Sequence, residues 1–405
     1  MKKQSLAAFL ATRAAVNYNK NSGFPELDEW AEYVTGRKNL EFGYPVNQDV
    51  RLNEFYQWYF ANDLDIVALN NVGDPFTDNP GLLSSHKFEK EVIEYFSRYY
   101  GFTKDNVWGM ISSGGTDGNN HGIYFGVNYL YNKTGKKPIM YVCEEAHYSN
   151  MRLAHLQNLE MKIIKGDEMG RMIPEEFEKA LDHTRPCLLV YAMGSTFKGA
   201  IDDQIAINAI LDKYPEIQAF RHVDAALFGG YLPFTEYSDL VNRRVMRFDS
   251  IAISGHKFFG MDEPCSIFIT TKDVYENQAT FNIAYLNENM RMISCSRSAQ
   301  SVLKFWWLIK NVGHDDWCSQ AQGILDNTRY FKKKFDEINY PAWVNEYSNT
   351  IFFKCPSNEI VRKYNLAKTY DKAFGGELSH LVVMQHVTKQ RINTFIRDIL
   401  SGDSQ

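Results

Sequence analysis

The 405-residue sequence predicts an α/β fold, with a large domain built on a mostly parallel sheet covered by helices on both faces and a smaller carboxy-terminal α+β domain. Three observations carry that expectation. From about residue 85 to 280, helical segments such as Phe88-Glu89-Lys90-Glu91-Val92-Ile93-Glu94-Tyr95-Phe96 alternate with short apolar strands such as Cys187-Leu188-Leu189-Val190-Tyr191-Ala192. No repeat or low-complexity block interrupts the alternation, which argues against solenoids and scaffolds. With 44% hydrophobic and 14% aromatic residues the chain can bury a large core, and its length suggests two domains plus terminal additions.

Taken in order, residues 1–75 read as an arm, helical and then irregular, with Gly43-Tyr44-Pro45 marking a bend. The large domain spans 76–295 and the small one 296–405. Val107-Trp108-Gly109-Met110-Ile111-Ser112-Ser113 is a strand and His121 to Leu130 a buried helix, separated by the glycine-rich Gly114-Gly115-Thr116-Asp117-Gly118-Asn119-Asn120. Further strands run from Ile139 to Cys143 and through the apolar stretches that stop at Asp224 and at Ser254. A long helical stretch begins at Ser301, small-domain strands include Asn349–Lys354 and His380–Met384, and a last helix covers Lys389–Leu400. Ligands of such sheets bind outside the carboxyl ends of the strands, so the chemistry is to be sought there.

A net charge of −5 without any Lys/Arg run argues against nucleic acid as the main partner. The six cysteines, Cys143, Cys187, Cys265, Cys295, Cys318 and Cys355, are widely spaced and form no C-x-x-C pair. Reduced core thiols are therefore expected, with neither a metal site nor a disulfide framework. The start, Met1 to Thr12, has only a short apolar run before Arg13, and no 18-residue apolar run occurs elsewhere. A cytoplasmic protein with no membrane partner is expected.

Lys257 ends the run Ile251-Ala252-Ile253-Ser254-Gly255-His256-Lys257, and Asp224 lies 33 residues upstream in Phe220-Arg221-His222-Val223-Asp224-Ala225-Ala226. Two strands ending in these turns would present an amine and a carboxylate to one ligand. Pyridoxal phosphate needs that pair, because its aldehyde takes a lysine and its ring nitrogen needs an anion to stay protonated. Taken alone, the lysine reads as a solvated loop residue. The glycine turn at 114–120 could dock a phosphate, with Thr116 adding a hydroxyl and the following helix its partial positive charge. Its spacing fits neither common nucleotide motif, and alone it is simply a turn. His147, in Ala146-His147-Tyr148-Ser149 after a strand, could stack on a planar cofactor or be a satisfied loop histidine.

The running order of these parts resembles that of group II pyridoxal-phosphate-dependent amino acid decarboxylases of the aspartate-aminotransferase fold (fold type I). Within them the chain is most similar to the branch of bacterial histidine decarboxylases and plant serine decarboxylases. The similarity also shows in Asn70-Asn71-Val72-Gly73-Asp74-Pro75-Phe76, Gly199-Ala200-Ile201-Asp202-Asp203, Gly229 to Phe234 and Ser294-Cys295-Ser296-Arg297, from about residue 40 to about 400. The resemblance implies pyridoxal 5′-phosphate as cofactor, held by Lys257 as a Schiff base. Asp224 would sit at the pyridinium nitrogen, Ala226 against one ring face and His147 on the other. Ser113, Gly115, Thr116 and His256 are the implied phosphate cradle, with Ser254 in the lysine motif and Thr196 near the ring's 3′ oxygen. It further implies a homodimer with active sites at the subunit interface. The aromatic arm from Glu41 to Phe60 is itself too apolar to stand in water alone.

The implied reaction is α-decarboxylation of an L-amino acid, L-histidine to histamine before all others. Serine or another small polar amino acid is the first alternative. A carbon–carbon lyase or aminotransferase would use the same Lys-Asp pair, although the Ser-Gly-His-Lys context argues against an aminotransferase. A cofactor-free binding protein is disfavoured by the survival of every cofactor-holding position. Tyr44 of the arm and the segment around Tyr285 are candidates to hold an imidazole. Tyr285 is a candidate proton donor or a packed tyrosine. Arg297 could hold a carboxylate bidentately or be a structural ion-pair arginine. Two departures leave the substrate open: Ser296-Arg297-Ser298-Ala299 where the branch commonly reads Ser-Arg-Asn-Gly, and Pro264-Cys265-Ser266 where it reads Pro-Cys-Gly.

Overall fold

The computed structural model describes residues 22–77, 81–283 and 288–402. Among these, seven strands form the central sheet: β1 (Val107–Ser112), β2 (Ile139–Cys143), β3 (Met161–Ile164), β4 (Cys187–Ala192), β5 (Ala219–Asp224), β6 (Ser250–Ser254) and β7 (Ser266–Thr271). Their order is β1-β7-β6-β5-β4-β2-β3, with β7 antiparallel to both neighbours and the other six strands running one way. Every residue of β1, β2, β4, β6 and β7 is buried. That is why these strands read as continuous apolar runs, as a sheet covered on both faces requires.

Helix α1 (Gly115–Thr134) starts six residues before the expected His121. Gly, Asp and Asn are poor helix formers, so the first turn carries no local signal and depends on tertiary packing. The glycines are there for close approach. A Cβ on Gly122 would lie 2.2 Å from Nδ1 of His222, and one on Gly126 would lie 2.6 Å from Leu188 and Phe220, so α1 presses its backbone onto the sheet.

The small domain holds a four-stranded antiparallel sheet of β8 (Ala342–Val344), β9 (Thr350–Lys354), β10 (Ala367–Asp371) and β11 (Gly376–Val382), ordered β8-β9-β11-β10. β9 stands where expected, while β11 begins four residues before His380 and ends at Val382. The edge strand β10 escapes sequence reading because none of its residues is fully buried. The last helix covers Lys389–Gly402.

One buried cluster takes side chains from Leu52 to Leu325, together with Val382 and Met384. A second gathers Phe331, Phe335, Ile351, Phe353, Leu381 and Phe395. The two cores part within the helix His314–Glu337, so the helix Ala299–Asn311 packs with the large domain. The arm ties into the second core through Phe42, whose ring stacks 5.7 Å from that of Phe395 and whose carbonyl accepts the N–H of Val382. By contrast the arm helix Pro25–Arg37 buries none of its residues. No helix among the described residues is long and apolar enough to cross a membrane.

Candidate active site

The sheet register brings the expected turns to one edge. Asp224 pairs with Ala192 of β4 and Ala252 of β6, and Ser266 at the start of β7 lies between Ser112 and Ser254. The turns after β1, β2, β4, β5 and β6 therefore open on the same side, as the topology of such sheets requires.

The β6 turn carries Lys257 and is braced from two sides. Gly255 donates its N–H to Cys265, while the arm residue Asn47 donates its backbone N–H to the carbonyl of His256 and its Nδ2 to that of Phe258. Burial lowers the pKa of the Lys257 amine, and the charge of Asp224 opposes the shift without cancelling it. The amine is thereby pushed toward its neutral, nucleophilic form.

Asp224 is buried at the end of β5, where Oδ2 accepts from Nδ2 of Asn150 at 3.1 Å and Oδ1 from the N–H of Ala226 at 3.3 Å. Behind it, His222 is wholly buried between Ser250 Oγ (2.8 Å) and Asn119 Oδ1 (2.9 Å), and burial pushes its pKa down to about 4, so it is neutral. His147 caps helix α2 (Tyr148–Leu156), with Nδ1 accepting from the N–H of Ser149. Its pKa is lowered by burial, with Asp224 pulling it up and Lys257 pushing it down, which places all three side chains within electrostatic reach of one another.

The glycine turn closes over the same place. A Cβ on Gly115 would stand 2.7 Å from Oγ of Ser254 and 3.5 Å from Cβ of Ala226, and Ser254 donates its N–H to the Ala226 carbonyl. A cavity of about 550 Å³ opens there, lined by Ser113, Gly115, Thr116, His256 and Pro264 among others. Two features suit a phosphate. The first N–H groups of α1 have no partner within the helix, and Nδ1 of His256 is buried without a hydrogen-bond partner among the described residues. Burial also drives the His256 pKa down to about 4, Lys257 adding to the effect, so it meets an anion as a neutral donor. The carboxylate of Asp117 is engaged by the Ser113 N–H, the Ser294 hydroxyl and His121.

Of the remaining candidates, Thr196 lies exposed on the turn after β4. Tyr44 is half exposed on the arm, three residues before Asn47. Tyr285 lies outside the described residues. Arg297 is taken out of the cleft: buried, it ion-pairs with Glu89 and donates to the carbonyls of Ile111 and Gly73. That pairing favours the structural alternative for it over a substrate contact. Asn150 and Asn47 were not anticipated. Asn150 follows His147 by three residues in the first turn of α2, a spacing that puts both on one side of a helix; Asn47 carries no local signal.

A family model described as the pyridoxal-dependent decarboxylase conserved domain matches residues 128–348. Serine decarboxylase 3 of Oryza sativa subsp. japonica is 32% identical over 366 residues, covering 89% of this chain and 78% of that protein. Histidine decarboxylase of Solanum lycopersicum is 29% identical over 392 residues, covering 94% and 90%. Among solved structures, L-methionine decarboxylase from Streptomyces sp. 590 superposes with a TM-score of 0.80 at 19% identity over 93% of this chain and 94% of that one, a likeness of fold. With a lysine, a carboxylate and a glycine turn converging on one sheet edge, the chain belongs to the pyridoxal-phosphate-dependent amino acid decarboxylases of group II, in the branch that holds the histidine and serine decarboxylases.

Proposed function

We propose that the chain decarboxylates L-histidine to histamine. The observation that carries the substrate is extent: the match to a histidine decarboxylase runs through 94% of this chain and 90% of that enzyme, against 78% of the serine decarboxylase. Serine remains the second reading, favoured by the higher identity of that relative.

Bound pyridoxal phosphate supplies the electron sink for the pair left on the α-carbon when carbon dioxide departs. The chain's residues bind and orient. Lys257 would hold the cofactor through its aldehyde. Asp224 holds the proton on the ring nitrogen. Ala226 leaves room against one ring face and His147 covers the other, while Ser113, Gly115, Thr116 and His256 hold the phosphate, supported by Ser254 beneath the glycine turn. Thr196 is assigned to the ring's 3′ oxygen. The site's contribution to the chemistry would be positioning of the substrate. Tyr285 is assigned the delivery of a proton to the α-carbon, and Tyr44 a wall of the imidazole pocket.

The working unit is a homodimer. The arm helix Pro25–Arg37 exposes Leu27, Trp30 and Tyr33 along one side, as well as Phe24 ahead of it, a surface that a second copy would cover. Mixing a Lys257 variant with an arm variant should restore activity, and a fully active monomer would exclude the shared site.

For the substrate, holoenzyme is incubated with each of the twenty amino acids while carbon dioxide and amine are measured. Histidine should give histamine and exceed phenylalanine by orders of magnitude, because a site built to bond ring nitrogens rejects a ring without them. Efficient turnover of L-serine without any histamine from L-histidine would transfer the assignment to serine.

A further inference from the structure

Asn150 occupies the first turn of α2 and is wholly buried. Its Nδ2 donates to Oδ2 of Asp224 at 3.1 Å, while its own Oδ1, equally buried, has no hydrogen-bond partner among the described residues. The bond to Asp224 is therefore the one hydrogen bond that the Asn150 side chain makes among the described residues. The carboxylate sets the orientation, since the reversed amide would face lone pairs with lone pairs. The same turn also fixes His147, whose carbonyl accepts the N–H of Asn150 at 3.0 Å. One helical turn thus holds both the ring proposed to cover the cofactor and the donor that grips Asp224.

The other neighbours of Asp224 cannot supply this bond. Ala226 uses its N–H on Oδ1, and both ring nitrogens of His222 are engaged by Ser250 and Asn119. Without Asn150, Oδ2 of Asp224 would lose its donor, and only the longer bond from the Ala226 N–H would hold the carboxylate in place.

We propose that Asn150 is a positioning residue for the cofactor's ring nitrogen: it holds Asp224 in the one rotamer from which the carboxylate can bond that nitrogen. The inference rests on the assignment of Asp224 to that nitrogen. It separates Asn150 from a packing residue by a property of the ligand, because only a ring that carries the nitrogen should sense it.

Apoenzyme of the unaltered chain, of Asn150→Leu and of Asn150→Ser is titrated with pyridoxal phosphate and with its 1-deaza analogue, in which CH replaces the ring nitrogen. The serine variant, too short to reach Asp224, guards against misfolding caused by the leucine. Loss of a bond to a charged group should weaken pyridoxal phosphate about tenfold or more and leave the analogue within about twofold. Equal losses for the two ligands, or an unchanged affinity for pyridoxal phosphate, would overturn the proposal. Asp224→Asn, titrated in parallel, locates a failure. If that variant distinguishes the ligands and the Asn150 variants do not, the role of Asn150 alone is lost; if it does not distinguish them, the ring-nitrogen role of Asp224 falls and that of Asn150 with it.

Discussion

Replacing Arg297 by Met tests whether the arginine serves the fold or the substrate. In the structure the carboxylate of Glu89 accepts from Arg297, from the N–H of Ile111 at 2.8 Å and from Nδ2 of Asn71 at 2.9 Å, and neither side chain of the ion pair is more than 1% exposed. Arg297→Met leaves that charge with two neutral donors and deprives the carbonyls of Gly73 and Ile111 of theirs. Breaking a buried pair from one side costs about 3–5 kcal/mol. An unfolding entropy of about 2.1 cal/mol/K per residue gives about 0.85 kcal/mol/K for 405 residues. A loss of about 4 kcal/mol then lowers Tm by about 5 °C. Scanning calorimetry measures the shift, and steady-state decarboxylation measures KM. Glu89→Gln combined with Arg297→Met should recover part of the loss, because the stranded charge is gone. An unchanged Tm with a many-fold rise in KM would refute the reasoning and return Arg297 to the substrate carboxylate.

Lys257→Ala should abolish carbon dioxide release yet still bind cofactor through the phosphate cradle and Asp224; near wild-type turnover would remove the lysine from its role. His222, neutral in the fold down to about pH 4, takes a proton on unfolding below its ordinary value of 6.5. Stability should therefore fall as pH drops through that window, by about 3 kcal/mol from this group. Urea unfolding of His222→Gln between pH 7 and 4 should show a shallower acid limb, and an unaltered limb would contradict the assignment. Gly122→Ala sets a methyl 2.2 Å from the His222 ring. A loss of about 1–3 kcal/mol by urea unfolding is expected, and a neutral result would mean that α1 can lift from the sheet without cost.

The parts that the sequence displayed are those in which one chemical demand falls on a short segment. β1, β2, β4 and β6 are buried on both faces, so their apolar runs are unbroken, and the Lys257 turn stands immediately after one of them, whereas Asp224 itself ends β5, a strand that carries Arg221 and His222. What stayed hidden depends on contacts distant in sequence. The first turn of α1 has weak propensity and is held by packing on β5 and β6. The Arg297–Glu89 pair joins residues 208 apart, and the bond from Asn150 to Asp224 crosses 74. Arg297 sits beside a family motif, so its sequence neighbours suggested the cleft; only the packing of the helix His86–Ser97 against β1 shows that a buried carboxylate has claimed it.

Three buried or half-buried lysines show why Lys257 alone fits the role proposed for it. Lys198 is buried, and burial would lower its pKa, but its bonds with Asp371 and Glu145 more than reverse this and raise it. Lys304 is likewise buried and likewise raised, because Asp262, Tyr56 and Glu263 outweigh desolvation. Both are fixed cations: Lys198 ties the turn after β4 to β10, and Lys304 ties the loop beyond Lys257 to the arm. The Lys257 amine forms no hydrogen bond or ion pair among the described residues, and Asp224 acts on it only through space, so burial prevails and its pKa falls. A lysine that must attack an aldehyde and later leave it cannot be pinned by a carboxylate in contact. Asp224 can meet both requirements only if its oxygens are held elsewhere, and the donors from Asn150 and Ala226 hold them.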